Sequence, residues 1–162
     1  MRKLILVRHA KSSWLTSHED KDRPLASRGI KDVNLVSSKA KEILPKKILI
    51  WSSTAKRAMD TGSIFTQNIG IPVENIIFRD DLYTFDAKQL EKIIKSCDNK
   101  NENLILFGHN EAITHFVNKF GDVSIDNVPT SGLVSIIFDT DTWENINKGK
   151  IEKFIFPRDL KS

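Results

Sequence analysis

Short, uninterrupted apolar runs alternate along this chain with longer stretches in which apolar residues return every three or four positions. The first kind occurs at residues 4–7 (Leu-Ile-Leu-Val), 48–51, 76–78 and 104–107. Runs of that length without polar alternation predict strands buried on both faces. The second kind predicts helices. Ile30, Val33, Val36, Ala40, Ile43 and Leu44 recur at helical spacing, with Ser27 read as the N-cap and Pro45 as the stop. Ala55, Ala58, Met59, Gly62 and Phe65 follow, with Ser53 as a cap. Leu90, Ile93, Ile94 and Cys97 form a third stripe behind Asp86, with Gln89 at the capping-box position. Ile113, Phe116, Val117 and Phe120 form a fourth, opened by Asn110 and closed by Gly121. Two β-rich runs, at residues 133–138 and 150–156, end the chain and are expected to pair or to extend a sheet edge.

This order predicts an α/β fold: one three-layer domain over residues 1–162, with a mostly parallel central sheet and helices on both faces. In such folds ligands bind beyond the carboxyl ends of the strands. The residues found there therefore matter most.

Three strand ends carry related chemistry. The first run ends in Arg8-His9, the second runs into Ser52-Ser53 with Arg57 close behind, and the fourth ends in Gly108-His109-Asn110. Arginine offers a planar fork of donors that matches phosphate oxygens and stays charged. Helix N-termini add backbone donors. A neutral histidine can act as a nucleophile. If the strands are neighbours, the set suits a phosphoryl group. Two other readings remain open at this point. His9 and His109 could be metal ligands, although neither has a close His or Cys partner and Arg8 would repel a cation. Each could also be a satisfied structural residue. His18, in the polar stretch 17–21, and His115, beside core positions of the fourth helix, read as structural. Cys97 reads as core.

Composition narrows the class without naming a substrate. Hydrophobic residues make up 40% and charged residues 28%, the balance of an ordinary globular protein. The single cysteine excludes an intrachain disulfide and fits a reducing compartment. The apolar run after Met1-Arg2-Lys3 is too short for a signal peptide, and no run approaches a membrane span, so a cytoplasmic protein without a membrane partner is expected. The formal net charge of +4 invites a nucleic-acid reading. The lysines are scattered, without aromatic interleaving, and no nucleic-acid partner is expected.

The segments R-H-A-K-S-S-W at 8–14, D-R-P-L-A-S-R-G at 22–29, S-S-T-A-K-R-A-M-D-T at 52–61 and G-H-N at 108–110 together resemble the histidine phosphatase superfamily, which has the phosphoglycerate mutase-like fold. The chain is similar to its SixA-like phosphohistidine phosphatase branch. The resemblance implies that His9 accepts the phosphoryl group while Arg8, Arg57 and His109 clamp it. It implies that Ser12 and Ser13 add hydrogen bonds or are plain loop residues, and that Arg23 and Arg28 fix the loop and helix start. It implies no metal and no organic cofactor. The partner would be a phosphohistidine protein or a small phosphorylated metabolite. Larger relatives carry an acid after the third strand. Here that region reads Arg79-Asp80-Asp81-Leu82-Tyr83, which makes Asp81 the first candidate and Asp80 the second, unless the branch works without one.

Overall fold

A computed structural model describes residues 1–14 and 19–161; His18 lies outside the described residues. The N-terminal apolar run forms β1 (Arg2–Arg8). A strand sends successive side chains to opposite faces. Leu4 and Leu6 accordingly enter one core cluster, and Ile5 and Val7 a second on the other side. That division explains the continuous run: neither face of β1 meets water.

The sheet is completed by β2 (Leu49–Ser53), β3 (Ile76–Arg79), β4 (Asn103–Gly108), β5 (Leu133–Phe138) and β6 (Lys150–Ile155), in the order β3-β2-β4-β1-β5-β6. The first four strands of that order run parallel. β5 is antiparallel to β1, and β6 to β5, so the last two runs pair with each other and extend one edge. The other edge is β3, whose Ile77 and Phe78 are partly exposed because only β2 covers that strand.

Helices cover both faces, as the sequence predicts. α1 (Ser27–Ala40), α2 (Lys56–Asn68) and the short α5 (Pro157–Leu160) contribute Val33, Val36, Phe65 and Leu160 to the Ile5 side. α3 (Ala87–Lys95) and α4 (Ala112–Phe120) contribute Leu90, Ile94, Ile113 and Phe116 to the Leu4 side. The connections that leave the neighbouring strands β1 and β4 therefore diverge, α1 to one face and α4 to the other. A crevice opens where adjacent strands feed opposite faces. This topology puts it between Arg8-His9 and Gly108-His109.

Helix starts depart from the expectations. α1 begins at Ser27 itself, behind Ala26, and makes no side-chain cap. It ends at Ala40, so Ile43 and Leu44 pack beyond the helix against the same core. α2 begins at Lys56, and Ser53 is instead the last residue of β2, with its hydroxyl accepting from the Ala55 N–H at 3.1 Å. α4 begins two residues after Asn110, yet the Asn110 side chain still accepts from the Thr114 N–H at 3.1 Å, inside the first turn. Asp86 caps α3 as expected, accepting from Lys88 N–H at 3.1 Å. Gly121 does end α4, but at φ −87°; its missing Cβ makes room for Ile151 Cδ1, 2.6 Å from where that atom would stand. Among the described residues no helix is long and apolar enough to cross a membrane.

Candidate active site

Strand register assembles the site. Arg8 pairs with Gly108 in the parallel β1–β4 ladder, and the His9 N–H donates to the Gly108 carbonyl at 3.0 Å. The next residue on each strand is a histidine, and the two rings lie 5.3 Å apart. Ser52 pairs with Phe107 across β2 and β4, which brings Ser53 level with Gly108. Its hydroxyl reaches His109 Nε2 at 2.8 Å. Arg57, the second residue of α2, turns inward and is only 2% exposed.

Hydrogen bonds and burial set the state of each ring. His9 Nδ1 lies 2.7 Å from the Ala10 carbonyl oxygen, an acceptor only, so the proton sits on Nδ1. Nε2 keeps its lone pair and receives the Arg57 Nε–H at 3.4 Å. Burial, then the charges of Arg57, Arg8 and Arg23, push the His9 pKa down to about 4 against the Ala10 bond. His9 is therefore neutral at physiological pH. His109 falls to about 3, chiefly by burial and then by the neighbouring His9 and Arg57. Ser53 Oγ accepts from the Ala55 N–H and lies 2.8 Å from His109 Nε2. His109 Nδ1 is buried and has no hydrogen-bond partner among the described residues. Arg8 Nε is a second such atom, while Arg8 Nη1 is anchored on the Val128 carbonyl at 2.9 Å.

Further residues brace the end of β1 and the loop after His9. Thr61 on α2 accepts from the Ala10 N–H at 2.9 Å and donates to the Arg57 carbonyl at 2.7 Å, tying α2 to the loop after His9. The Ser131 N–H donates to the carbonyls of both Arg8 and His9, each at 3.1 Å, from a left-handed backbone at φ 63° that a serine seldom adopts. Gly29, at the start of α1, is required by a close approach: an added Cβ would stand 2.3 Å from the Lys11 carbonyl oxygen.

Of the residues singled out in the sequence, Arg8, His9, Arg57 and His109 converge. Ser12 lies in the loop beside them, where its hydroxyl accepts from Arg23 Nη1 at 2.5 Å. Ser13 is pinned through its backbone N–H to the Pro24 carbonyl. Arg23 is buried and holds the loop, whereas Arg28 is exposed and lies 3.9 Å from Asp32. The Asp81 carboxylate is gripped by Arg79, at 3.0 and 2.8 Å. Asp80 receives the Thr54 hydroxyl. His115 is exposed and faces Glu111, and Cys97 is buried with its thiol pushed up to about 11.

Sequence reasoning missed Asp20. Its carbonyl accepts from Arg57 Nη1 at 2.6 Å and its carboxylate from Arg57 Nη2 at 3.0 Å; Arg23 and the Tyr83 hydroxyl reach the same carboxylate. These partners, Tyr83 first, hold its pKa down to about 2. Asp20 thus occupies the two terminal nitrogens of the arginine that the sequence assigns to phosphate. It opens a short 3-10 turn (Asp20–Asp22) in a polar stretch of sequence with no periodicity, so no pattern marks it.

The family model of the histidine phosphatase superfamily (branch 1) matches residues 4–95, more than half of the chain. The protein belongs to the histidine phosphatase superfamily. An uncharacterised protein of Mycobacterium tuberculosis is 42% identical over 55 residues, which is 34% of this chain and 35% of that protein. The match thus spans about a third of the length of that curated relative. Solved structures share the fold across nearly the whole chain. The protein histidine phosphatase SixA, complexed with tungstate, has a TM-score of 0.80 at 18% identity, covering 98% of this chain and 99% of that one. A mycobacterial glucosyl-3-phosphoglycerate phosphatase has a TM-score of 0.68 at 12% identity, covering 94% and 98%. At these identities the likeness is one of fold.

Proposed function

We propose that this protein is a phosphatase that transfers a phosphoryl group to His9 and then to water, and that its substrate is a phosphohistidine on a protein. The observation that carries the reading is the placement of the two histidine rings. His9 holds Nδ1 on the Ala10 carbonyl and turns Nε2, which accepts from Arg57 Nε–H, into the site, and His109 Nδ1 is buried without a partner among the described residues.

In the first step, the His9 Nε2 lone pair forms a bond to phosphorus as the bond to the leaving group breaks. The leaving group departs with that electron pair. The phosphorylated ring gains positive charge, which the Ala10 carbonyl stabilises through Nδ1–H. Arg8, Arg57 and His109 donate to the equatorial oxygens, where fixed donors stabilise the transition state without reorganising. In the second step, water attacks phosphorus and gives up a proton to solvent, while the electron pair of the P–N bond returns to His9 and inorganic phosphate leaves. Dividing one displacement into two is the gain from covalent catalysis.

The substrate class follows from the leaving group. Alkoxide departure needs an acid in place. A phosphohistidine imidazole takes a proton from solvent on its far nitrogen and leaves neutral. The acidic candidate Asp81 is engaged by Arg79, a state that favours a substrate needing little help. A small phosphorylated metabolite is the competing substrate class.

A substrate panel tests the proposal. Phosphohistidine peptides are expected to exceed phosphorylated sugars and nucleotides in kcat/KM, and His9→Ala to abolish turnover. Rapid quench with labelled substrate is expected to trap an acid-labile phosphoenzyme. Full activity of His9→Ala on an aryl phosphate would overturn the assignment, and a preference for sugar phosphates would overturn the substrate class.

A further inference from the structure

At the mouth of the crevice three rings form a closed triangle. Centroids of Tyr83 and Phe85 lie 5.6 Å apart, those of Tyr83 and His109 5.3 Å, and those of Phe85 and His109 5.3 Å, with interplanar angles of 71°, 61° and 59°. The triangle runs from floor to surface: His109 is 2% exposed and Phe85 51%. Both aromatic residues are held in place. The Tyr83 hydroxyl donates to Asp20, and Phe85 immediately precedes the Asp86 cap of α3. Phe85 packs one part of its ring on His109 and Tyr83 and leaves about half its surface open at the mouth.

In-line displacement fixes where the leaving group goes. It departs on the side of phosphorus opposite the attacking atom. His9 is buried, so a group leaving phosphorus on the side away from it projects toward solvent, and Phe85, 51% exposed and in ring contact with His109, borders that side. The other exposed aromatic side chain near the site, Trp14, already has a ring face covered by the Arg23 guanidinium at 3.5 Å.

We propose that Phe85, braced by Tyr83, is a leaving-group subsite that selects a flat ring bonded directly to phosphorus, as in the imidazole of a phosphohistidine side chain. The proposal rests on the phosphatase reading above. A planar ring meets Phe85 in offset or edge-to-face contact, which a puckered sugar or an alkyl chain cannot match.

The test is binding of non-hydrolysable phosphonates to the whole protein by calorimetry. Phenylphosphonate carries a flat ring directly on phosphorus; cyclohexylphosphonate is its puckered counterpart of similar size. The protein is expected to bind the phenyl compound about five-fold more tightly than the cyclohexyl one, the scale of one aromatic pair. Phe85→Leu, which keeps apolar bulk, and Phe85→Ala are both expected to bring the ratio to about one. Phe85→Tyr is expected to keep it. A ratio of one in the unaltered protein overturns the proposal. So does a ratio that survives in Phe85→Leu while both affinities fall together, the signature of a residue that merely supports His109. Phosphonate binding requires no turnover, so inactivity toward phosphohistidine peptides would count against the substrate reading alone.

Discussion

Arg57 donates its Nε–H to His9 Nε2 across 3.4 Å while both of its terminal nitrogens are bound to Asp20. One guanidinium thus touches His9 and carries an internal anion. An incoming phosphoryl group would compete with the Asp20 carboxylate for Nη2 and with its main-chain carbonyl for Nη1. At Nη2 the exchange is of one anion for another.

Asp20→Ala removes the competitor. Inorganic phosphate and tungstate are expected to bind several-fold more tightly to this variant, because no carboxylate must be displaced. Titration calorimetry at fixed ionic strength measures the change; weaker binding would mean that Asp20 chiefly positions Arg57.

Arg57→Lys keeps the charge and loses the fork. Lysine cannot reach the His9 nitrogen and present two further parallel donors at once. A fall in kcat of about 100-fold is expected, the size seen when a single oxyanion donor is removed. Steady-state kinetics on an aryl phosphate provide the measurement.

The acid limb of the pH profile follows from the His9 pKa of about 4. His9 must be neutral to attack, so kcat/KM is expected to hold from neutrality down to about pH 5 and to fall below it. An unperturbed histidine would lose activity already near 6.5. Stability shows the same linkage. In the folded protein His9 and His109 remain neutral down to about 4 and about 3. The unfolded chain takes up those protons from about 6.5. Between these limits the unfolded state binds more protons, so stability is full above about 6.5 and is lost as pH falls through the window. Denaturant midpoints from pH 7 to 4 are expected to decline, with a shallower decline in His109→Asn.

Asp81→Asn tests the proton donor. With Asp81 held by Arg79, kcat on a phosphohistidine peptide is expected to change by less than about three-fold, whereas general acid catalysis is worth about 100-fold or more. A loss of that larger size, with a matching shift of the alkaline limb, would make Asp81 the acid.

Gly29→Ala places a methyl group 2.3 Å from the Lys11 carbonyl in the loop after the nucleophile. Backbone on both sides leaves no flexible side chain to yield. Destabilisation of about 1–3 kcal/mol is expected, as for overpacked sites, together with reduced activity because the loop carrying Ser12 must shift. Thermal melts and kinetics read the two effects.

The sequence by itself determined the layered α/β fold and singled out four residues that the structure brings together. Continuous apolar runs need cover on both faces, and helical stripes supply it; both signals are local and strong. Arg8, His9, Arg57 and His109 were legible because they stand at or just beyond strand ends, where this architecture opens a crevice. Helix starts were less legible, since Ser27 and Ser53 look like caps but serve as a helical residue and as a partner of His109. Only the tertiary structure decided the rest. Strand order made β1 and β4 neighbours and sent their helices to opposite faces. Register set His9 beside His109, and the Ala10 carbonyl then fixed the His9 proton on Nδ1. Asp20, Tyr83, Phe85, Thr61 and Ser131 were invisible beforehand for one physical reason: their roles depend on contacts across many residues of chain, and such contacts leave no period in the sequence.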